Sequence, residues 1–312
     1  MEIPRVLFVS HKPSMCGIYQ FGLRIANALK ESQKYQFVYV ECASKEEYLA
    51  TVSEHNPVAR IVNWHPVTLP WIPSVPRTWP TIGIMHECAQ SMADSPQTHL
   101  FDFHIAPDPT LTIRNQMVFK TGRLIVKYDN LQPEPPIPTI GSFGFSLGGK
   151  NFERIISAVQ SSFDHAIIRL NLSPATFGDS EGSVSHNVAE KCKRLITKPG
   201  VSIEIGYSYL DENQVLDFLA KNSVNAFLYD NMPQRGISSV IDYALAVNRP
   251  IAITSSSMFR HISMPSIEIE HSTLAEIHGR GAGPLQHFRE NWSPENLVRE
   301  YETIITDILG RR

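Results

Sequence analysis

Lys150 follows Gly148 and Gly149 and stands where an apolar run, residues 139–145, gives way to a helical pattern, residues 151–162. A lysine at that junction is a compact point charge at the start of a helix, where backbone N–H groups already favour an anion. Gly17 holds the matching place after the first apolar run, residues 5–10, and a glycine there lets backbone N–H groups approach an oxyanion closely. His86 follows the run 81–85, and the carboxyl end of a parallel strand is where open α/β sheets place ligand contacts. A fourth group lies in residues 233–250 and comprises Arg235, Gly236, Ser238, Ser239, Asp242 and Tyr243. The planar fork of Arg235 suits phosphate or carboxylate, and the carboxylate of Asp242 can accept from two hydroxyls at once. The chemistry on offer is capture of an anion, with an acceptor for hydroxyl groups close by in the chain.

Other chemistries find less support. The 12 histidines include no H-x-x-x-H or H-E-x-x-H pair, so no metal site is expected. A dinucleotide-binding dehydrogenase needs G-x-G-x-x-G after its first strand, and residues 10–17 lack it. Gly144-Phe145-Ser146-Leu147-Gly148 matches the G-x-S-x-G of serine hydrolases, but no His and Asp in the expected order accompany it, and Lys150 explains the loop better. Cys16, Cys42, Cys88 and Cys192 are scattered without C-x-x-C and read as free, mostly buried thiols. With 28 Lys and Arg against 31 Asp and Glu, the net charge of −3 offers no field for nucleic acid. The first apolar stretch is too short for a signal segment and no run reaches the roughly 18 residues of a membrane span, so a cytoplasmic protein, at most peripheral to a membrane, is expected.

The elements that must position these residues alternate regularly. Apolar, β-branched runs at 5–10, 35–42, 59–64, 81–85, 103–106 and 124–128 read as strands buried on both faces, and Ile18, Phe21, Ile25 and Leu29 recur at helical spacing between the first two. Strand, glycine turn, helix, strand is the βαβ unit, and its repetition implies a Rossmann-like parallel sheet. Residues 131–138 carry four prolines in six positions, which continue neither a helix nor a central strand and read as a linker. Beyond it strands at 139–145, 166–172, 201–205, 224–229 and 250–254 alternate with helices at 151–162, 184–195, 212–222 and 237–247. Residues 293–309 open with Ser-Pro-Glu and carry Leu297, Val298, Tyr301, Ile304, Ile305 and Ile308 along one face. The stretch 57–80, with Trp64, Trp71 and Trp79, breaks the rhythm and reads as a long ordered loop packed on the first sheet.

Two such domains, a short linker and a terminal helix resemble the GT-B glycosyltransferases, and within them the large retaining family 4 (glycosyltransferase group 1), which includes sucrose synthases, bacterial mannosyltransferases and glycogen synthase relatives. Val6-Leu7-Phe8-Val9-Ser10-His11 with Met15-Cys16-Gly17-Ile18 looks like the family's first strand, glycine loop and helix, Cys16-Gly17 standing for the usual paired glycine. Pro80-Thr81-Ile82-Gly83-Ile84-Met85-His86-Glu87 resembles the strand whose terminal histidine faces the donor sugar. Residues 140–152 resemble the strand, Arg-x-x-x-x-Lys-Gly loop and helix that neutralise the donor diphosphate, with Lys150 on the lysine, Phe145 where the arginine stands and Asn151 in place of the glycine. Residues 233–250 resemble the Glu-Gly…Glu-Ala-x-Ala-x-Gly-x-Pro element. Aligning Gly236 and Pro250 puts Arg235 and Tyr243 on the two glutamates that meet the hexose and the ribose, whereas a shift by one puts Gln234 and Asp242 there with one extra residue before Pro250.

The resemblance implies an α/β chain of two Rossmann-like, doubly wound domains: 1–130 on the acceptor side, linker 131–138, 139–292 for the donor, and 293–312 as a helix crossing back to the first domain, with a cleft between the domains. It implies a catalytic role for His86 and donor or nucleotide contacts from Gly17, Lys150, Arg235, Gly236, Ser238, Ser239, Asp242 and Tyr243. No metal and no cofactor are implied. The partners would be a nucleotide sugar, such as a UDP- or GDP-sugar, as substrate, and a glycan or small-molecule acceptor. Retaining, metal-independent transfer follows, and an arginine in the sugar subsite would suit an acidic glycoside. The alternative is a non-catalytic module of the same fold that binds a nucleotide, a glycan or a partner protein. The missing glutamates and arginine favour the alternative, while Lys150, His86 and the Ser238-Ser239 pair favour transfer.

Overall fold

A computed structural model describes residues 3–13, 15–76, 79–130, 132–175 and 178–311. Leu131 of the linker and Arg312 at the end of the last segment therefore lie outside the described residues. The chain forms two compact units: Met1–Leu124 with Gln234–Gly236 and Asn291–Arg312, and Ile125–Pro233 with Ile237–Glu290.

In the first unit the order is β1 (Arg5–Ser10), α1 (Gly17–Leu29), β2 (Gln36–Glu41), α2 (Lys45–His55), β3 (Ala59–Val62), β4 (Thr81–Ile84), α3 (Gln90–Asp94), β5 (Phe103–Ala106) and β6 (Val118–Lys120). The strands form one parallel sheet ordered β2-β1-β3-β4-β5-β6. Strands β3, β4 and β5 are buried throughout, which is why they read as largely apolar runs, broken only by Arg60, Thr81 and His104. The run 124–128 is not a strand: Gly122 N–H donates to the Glu300 carboxylate at 2.9 Å and Arg123 Nη1 to the Pro107 carbonyl at 2.7 Å, and the sheet's sixth place goes to β6. Residues 63–76 pack as a loop, with Leu69 and Ile72 buried against Val62, Leu100 and Phe101 and with Trp64 and Trp71 alongside.

The second unit runs β7 (Thr139–Phe143), α4 (Phe152–Ser162), β8 (Ala166–Asn171), α5 (Ser183–Arg194), β9 (Val201–Gly206), α6 (Glu212–Ala220), β10 (Val224–Phe227), α7 (Val240–Ala246), β11 (Ile251–Ile253), α8 (Leu274–Arg280) and α9 (Gln286–Asn291). Its parallel sheet is ordered β11-β10-β7-β8-β9. The proline-rich segment is tied to this unit. Arg249 donates to the Glu134 carboxylate at 2.8 Å and to the carbonyls of Gln132, Pro133 and Ala220 at 2.6, 2.8 and 2.9 Å.

The last helix, α10 (Pro294–Gly310), starts on the Ser293 side chain, which accepts from Asn296 N–H. Its apolar stripe Leu297, Val298, Tyr301, Ile304, Ile305 and Ile308 lies in one buried cluster with Val6 and Phe8 of β1 and Phe21, Ile25 and Leu29 of α1. Burying six large side chains at about 1.5–3 kcal/mol each makes this helix a principal part of the first unit's core. Among the described residues no helix is long and apolar enough to cross a membrane.

Candidate functional site

In the second unit β7 lies between β8 and β10, so the chain changes direction of winding there. Open α/β sheets bind ligands at the carboxyl ends of strands flanking such a point. The loop that leaves β7 carries Lys150. Gly144 and Gly149 turn it with φ of 141° and 85°, and a side chain at Gly149 would collide with Met232, its Cβ falling 2.3 Å from the methionine Cε. The loop is tied to the end of β10: Asp230 N–H donates to the Gly149 carbonyl at 2.9 Å, and Asn151 Nδ2 to the Asp230 carboxylate at 2.9 Å. Lys150 Nζ donates to the Tyr229 hydroxyl at 2.6 Å and stands 4.1 Å from that ring's centroid. The ammonium is thus fixed and partly accessible above a buried tyrosine, at the start of an eleven-residue helix whose N-cap, Asn151, gives it no side-chain cap. Where the family arginine would stand, Phe145 stacks on Tyr209 with centroids 6.5 Å apart. Ser146, the nucleophile position of the hydrolase pattern, is buried, and its hydroxyl bonds to no histidine or carboxylate among the described residues, so it lacks the base a nucleophile needs.

The 233–250 element departs from expectation at its start. Its helix opens at Val240, not 237, because Ser238 N–H is committed to the Met258 carbonyl at 3.0 Å. Gly236 is therefore not at a helix start. Its glycine answers a close approach instead: a Cβ there would fall 2.2 Å from the His86 carbonyl oxygen. Arg235 pairs with Glu87, both half-exposed and both in the first unit. Ser239 is the N-cap of α7, and Ser238, Asp242 and Tyr243 are buried, the last two only 1% and 9% exposed, with the Tyr243 ring edge-on to Phe143 at 6.0 Å. Asp242 and Tyr243 so belong to the interior of the second unit.

In the first unit the winding reverses between β1 and β3. Asn63, which follows β3, joins three elements at that point. Its Nδ2 donates to Ser10 Oγ at 3.0 Å and to the Ile18 carbonyl at 2.8 Å, while its Oδ1 lies 2.6 Å from His86 Nε2. A carbonyl can only accept, so the amide orientation is set, Oδ1 must accept, and His86 carries its proton on Nε2. The bare Nδ1 is left as an acceptor. Gly22 of α1 makes room, since a Cβ there would lie 2.3 Å from Asn63 Nδ2. Burial pushes the His86 pKa down to about 3, with His65, Arg123 and His11 adding to the effect, so the ring is neutral at pH 7. His11 is likewise lowered by burial, against the pull of Glu41. Gly17 opens α1 as expected, and a Cβ there would meet nothing within 4 Å among the described residues.

The structure gathers Lys150 with Tyr229 in the second unit, and gathers Gly17, His86, Arg235 and Gly236 in the first. Asn63 and Tyr229 escaped the sequence reading, although each is a polar group at or just beyond the end of a buried strand, the signal that marked His86. Among the described residues no three His, Cys, Asp or Glu side chains are grouped to hold a metal ion.

No protein-family model matches the chain, and no curated protein does. Solved structures do. HepE of Anabaena, in complex with UDP and glucose, is similar with a TM-score of 0.64 at 12% identity, covering 97% of this chain and 100% of its own. The lipopolysaccharide outer core galactosyltransferase WaaB gives 0.64 at 10% identity, covering 97% and 99%. Sucrose-phosphate synthase of Thermosynechococcus elongatus gives 0.72 at 8% identity, covering 99% and 100%. Likeness at 8–12% identity along nearly all of both chains, with two doubly wound parallel sheets, is likeness of fold: this chain has the GT-B fold of those glycosyltransferases.

Proposed function

We propose that the chain is a glycosyltransferase that moves a hexose from a nucleotide-diphosphate sugar to an acceptor hydroxyl, with donor contacts in the second unit and acceptor contacts in the first. The observation that carries this is the fixed ammonium of Lys150 at the winding reversal of the second sheet. HepE has been solved with UDP-glucose as well, which makes a UDP-sugar the first donor to try. In the reaction the acceptor oxygen bonds to the anomeric carbon, the bond from that carbon to the diphosphate oxygen breaks, and the acceptor's hydroxyl proton leaves with the diphosphate. Lys150 stabilises the charge that develops on the leaving group. His86, neutral and with Nδ1 free to accept, suits a hydrogen bond from a sugar hydroxyl better than proton abstraction, since a base of such low pKa is weak. Retaining transfer without a resident metal is in keeping with the lysine cation of the second unit and, in the first, with a histidine that is so weak a base. The pairing of Arg235 with Glu87 offsets the charge an acidic sugar would require, which favours a neutral hexose.

A second reading, a non-catalytic nucleotide- or glycan-binding module, draws on Phe145, Arg235 and the buried Tyr243 at the three positions where the family has its arginine and two glutamates. Calorimetric titration with UDP, GDP and ADP, followed by assay of sugar release from the matching nucleotide sugar, separates the two. Binding with turnover is expected. Lys150→Ala should weaken nucleotide binding tenfold or more, since hydrogen bonds to charged groups contribute about 1.5–3 kcal/mol. Binding without turnover would favour the module, and unchanged binding by Lys150→Ala would remove the lysine from the site.

A further inference from the structure

Beside His86 the first unit holds a cavity of about 270 Å³ walled by Trp64, Gly83, Met85, Met92, Phe101 and His104. Its origin is the alternation of β5. Phe103 and Ile105 point into the main core with α1 and α10, so His104 points to the opposite face, where it stands across the ladder from Gly83 of β4. The missing side chain at Gly83 admits Phe101, whose ring would otherwise lie 2.4 Å from a Cβ. Phe101 in turn sits perpendicular to His104 at 5.8 Å and near edge-on to Trp64 at 5.6 Å. An aromatic wall results, with thioethers beside it.

His104 is the odd member of that wall. It is 3% exposed, and neither ring nitrogen has a hydrogen-bond partner among the described residues. A neutral imidazole has one N–H to donate and one lone pair to accept with, and a group so placed is ordinarily satisfied. A single hydroxyl can serve either nitrogen. Glu87, Ser95 and Gln97 also reach the lining, but a hexose carries hydroxyls all round its ring, and those turned toward Trp64, Phe101 and the methionines would lose their water without replacement. The volume is just below that of drug-sized sites, room for a ring and not for a glycan chain.

We propose that this cavity binds a flat apolar ring bearing a hydroxyl, a phenol-like group, with the ring among Trp64, Phe101 and the methionines and the hydroxyl on His104. Resting on the glycosyl-transfer reading, this makes the acceptor an aromatic alcohol or a molecule ending in one, since His86 adjoins the same cavity. The test is titration of the whole chain with 4-methylphenol, toluene and glucose, with no nucleotide present. 4-Methylphenol should bind one to one, toluene at least tenfold more weakly, and glucose not measurably, because a site built around a hydroxyl discriminates against the analogue lacking it. His104→Phe should abolish the preference for the phenol over toluene. Met92→Trp, at an exposed position where folding is not at stake, should weaken phenol binding at least tenfold by filling the cavity. Equal affinity of the parent for phenol and toluene, glucose binding as well as phenol, or phenol binding untouched by Met92→Trp would each overturn the proposal, whether or not His104→Phe folds. Phenol binding in a chain that binds no nucleotide would fail the transferase reading alone, and nucleotide binding and turnover without phenol binding would fail this one alone.

Discussion

Acid should loosen the first unit before pH 4, and His104 allows the effect to be isolated. Burial lowers its pKa from 6.5 to about 4, and among the described residues the ring has no hydrogen-bond partner that a proton would strengthen. As the pH falls below 6.5 the unfolded chain takes up this proton first. Stability is therefore insensitive to the residue above about pH 6.5, declines through the interval down to pH 4, and levels off below it. A gap of about two and a half pH units at about 1.36 kcal/mol each amounts to about 3 kcal/mol. His86 and His11 act in the same direction, and carboxylates elsewhere act as well, so the parent's total loss is larger and not assignable. The difference between the parent and His104→Phe removes those shared contributions. Urea unfolding followed by tryptophan fluorescence suits the purpose, since Trp64 and Trp71 pack in this unit. His104→Phe should be no less stable than the parent at pH 7 and should gain on it by about 3 kcal/mol by pH 4. Stability curves that run parallel from pH 7 to 4 would refute the assignment of a buried, neutral, unpaired imidazole.

Gly141→Ala should destabilise the second unit by about 3 kcal/mol or more. Its Cβ would fall 1.8 Å from Asn222 Nδ2, and moving that buried amide breaks its bonds to Arg169 and Asn225, each 2.8 Å. An unchanged urea midpoint would mean that Asn222 is not held as described. Tyr301→Phe should raise stability by up to about 1 kcal/mol, because the hydroxyl is fully buried with no hydrogen-bond partner among the described residues, and a clear loss would reveal one. Gly236→Ala, which sets a methyl 2.2 Å from the His86 carbonyl oxygen, should cost about 1–3 kcal/mol, as overpacking does, and calorimetric unfolding would show it. Lys150→Ala should leave the melting temperature within a few degrees of the parent's while weakening UDP binding, which separates a ligand contact from a structural lysine.

The two doubly wound sheets were legible because strands covered on both faces are mostly apolar: Ala59–Val62, Thr81–Ile84 and Phe103–Ala106 are buried end to end, with one polar residue each. Where that logic failed, burial and pairing parted company. Leu124 and Ile125 are buried, as their apolar character suggests, yet just before them the Gly122 N–H bonds to Glu300 and the Arg123 side chain to the Pro107 carbonyl, and the sheet's sixth place goes to β6. Helix α2 was missed because it buries only Tyr48 and so shows no apolar stripe. At the candidate site Lys150, Gly17 and His86 announce themselves through local context, a glycine or a strand end. Asn63 does not, since its importance lies in partners 45 and 23 residues away, Ile18 and His86, that only the fold makes neighbours. His104 was readable as a histidine inside an apolar run, but its lack of a partner is a fact of packing.

The placement of α10 also bears on the order in which the protein can form during synthesis. The second unit is almost contiguous in the chain, whereas the first includes residues on both sides of it. Until Leu297, Tyr301, Ile305 and Ile308 have been added, Phe21, Ile25 and Leu29 lack a large part of their cover. Domains usually close in the order they leave the ribosome. Here the later-made unit has its whole core available first, and the earlier one must wait with an apolar helix face exposed, which makes the nascent first unit the natural client for a chaperone.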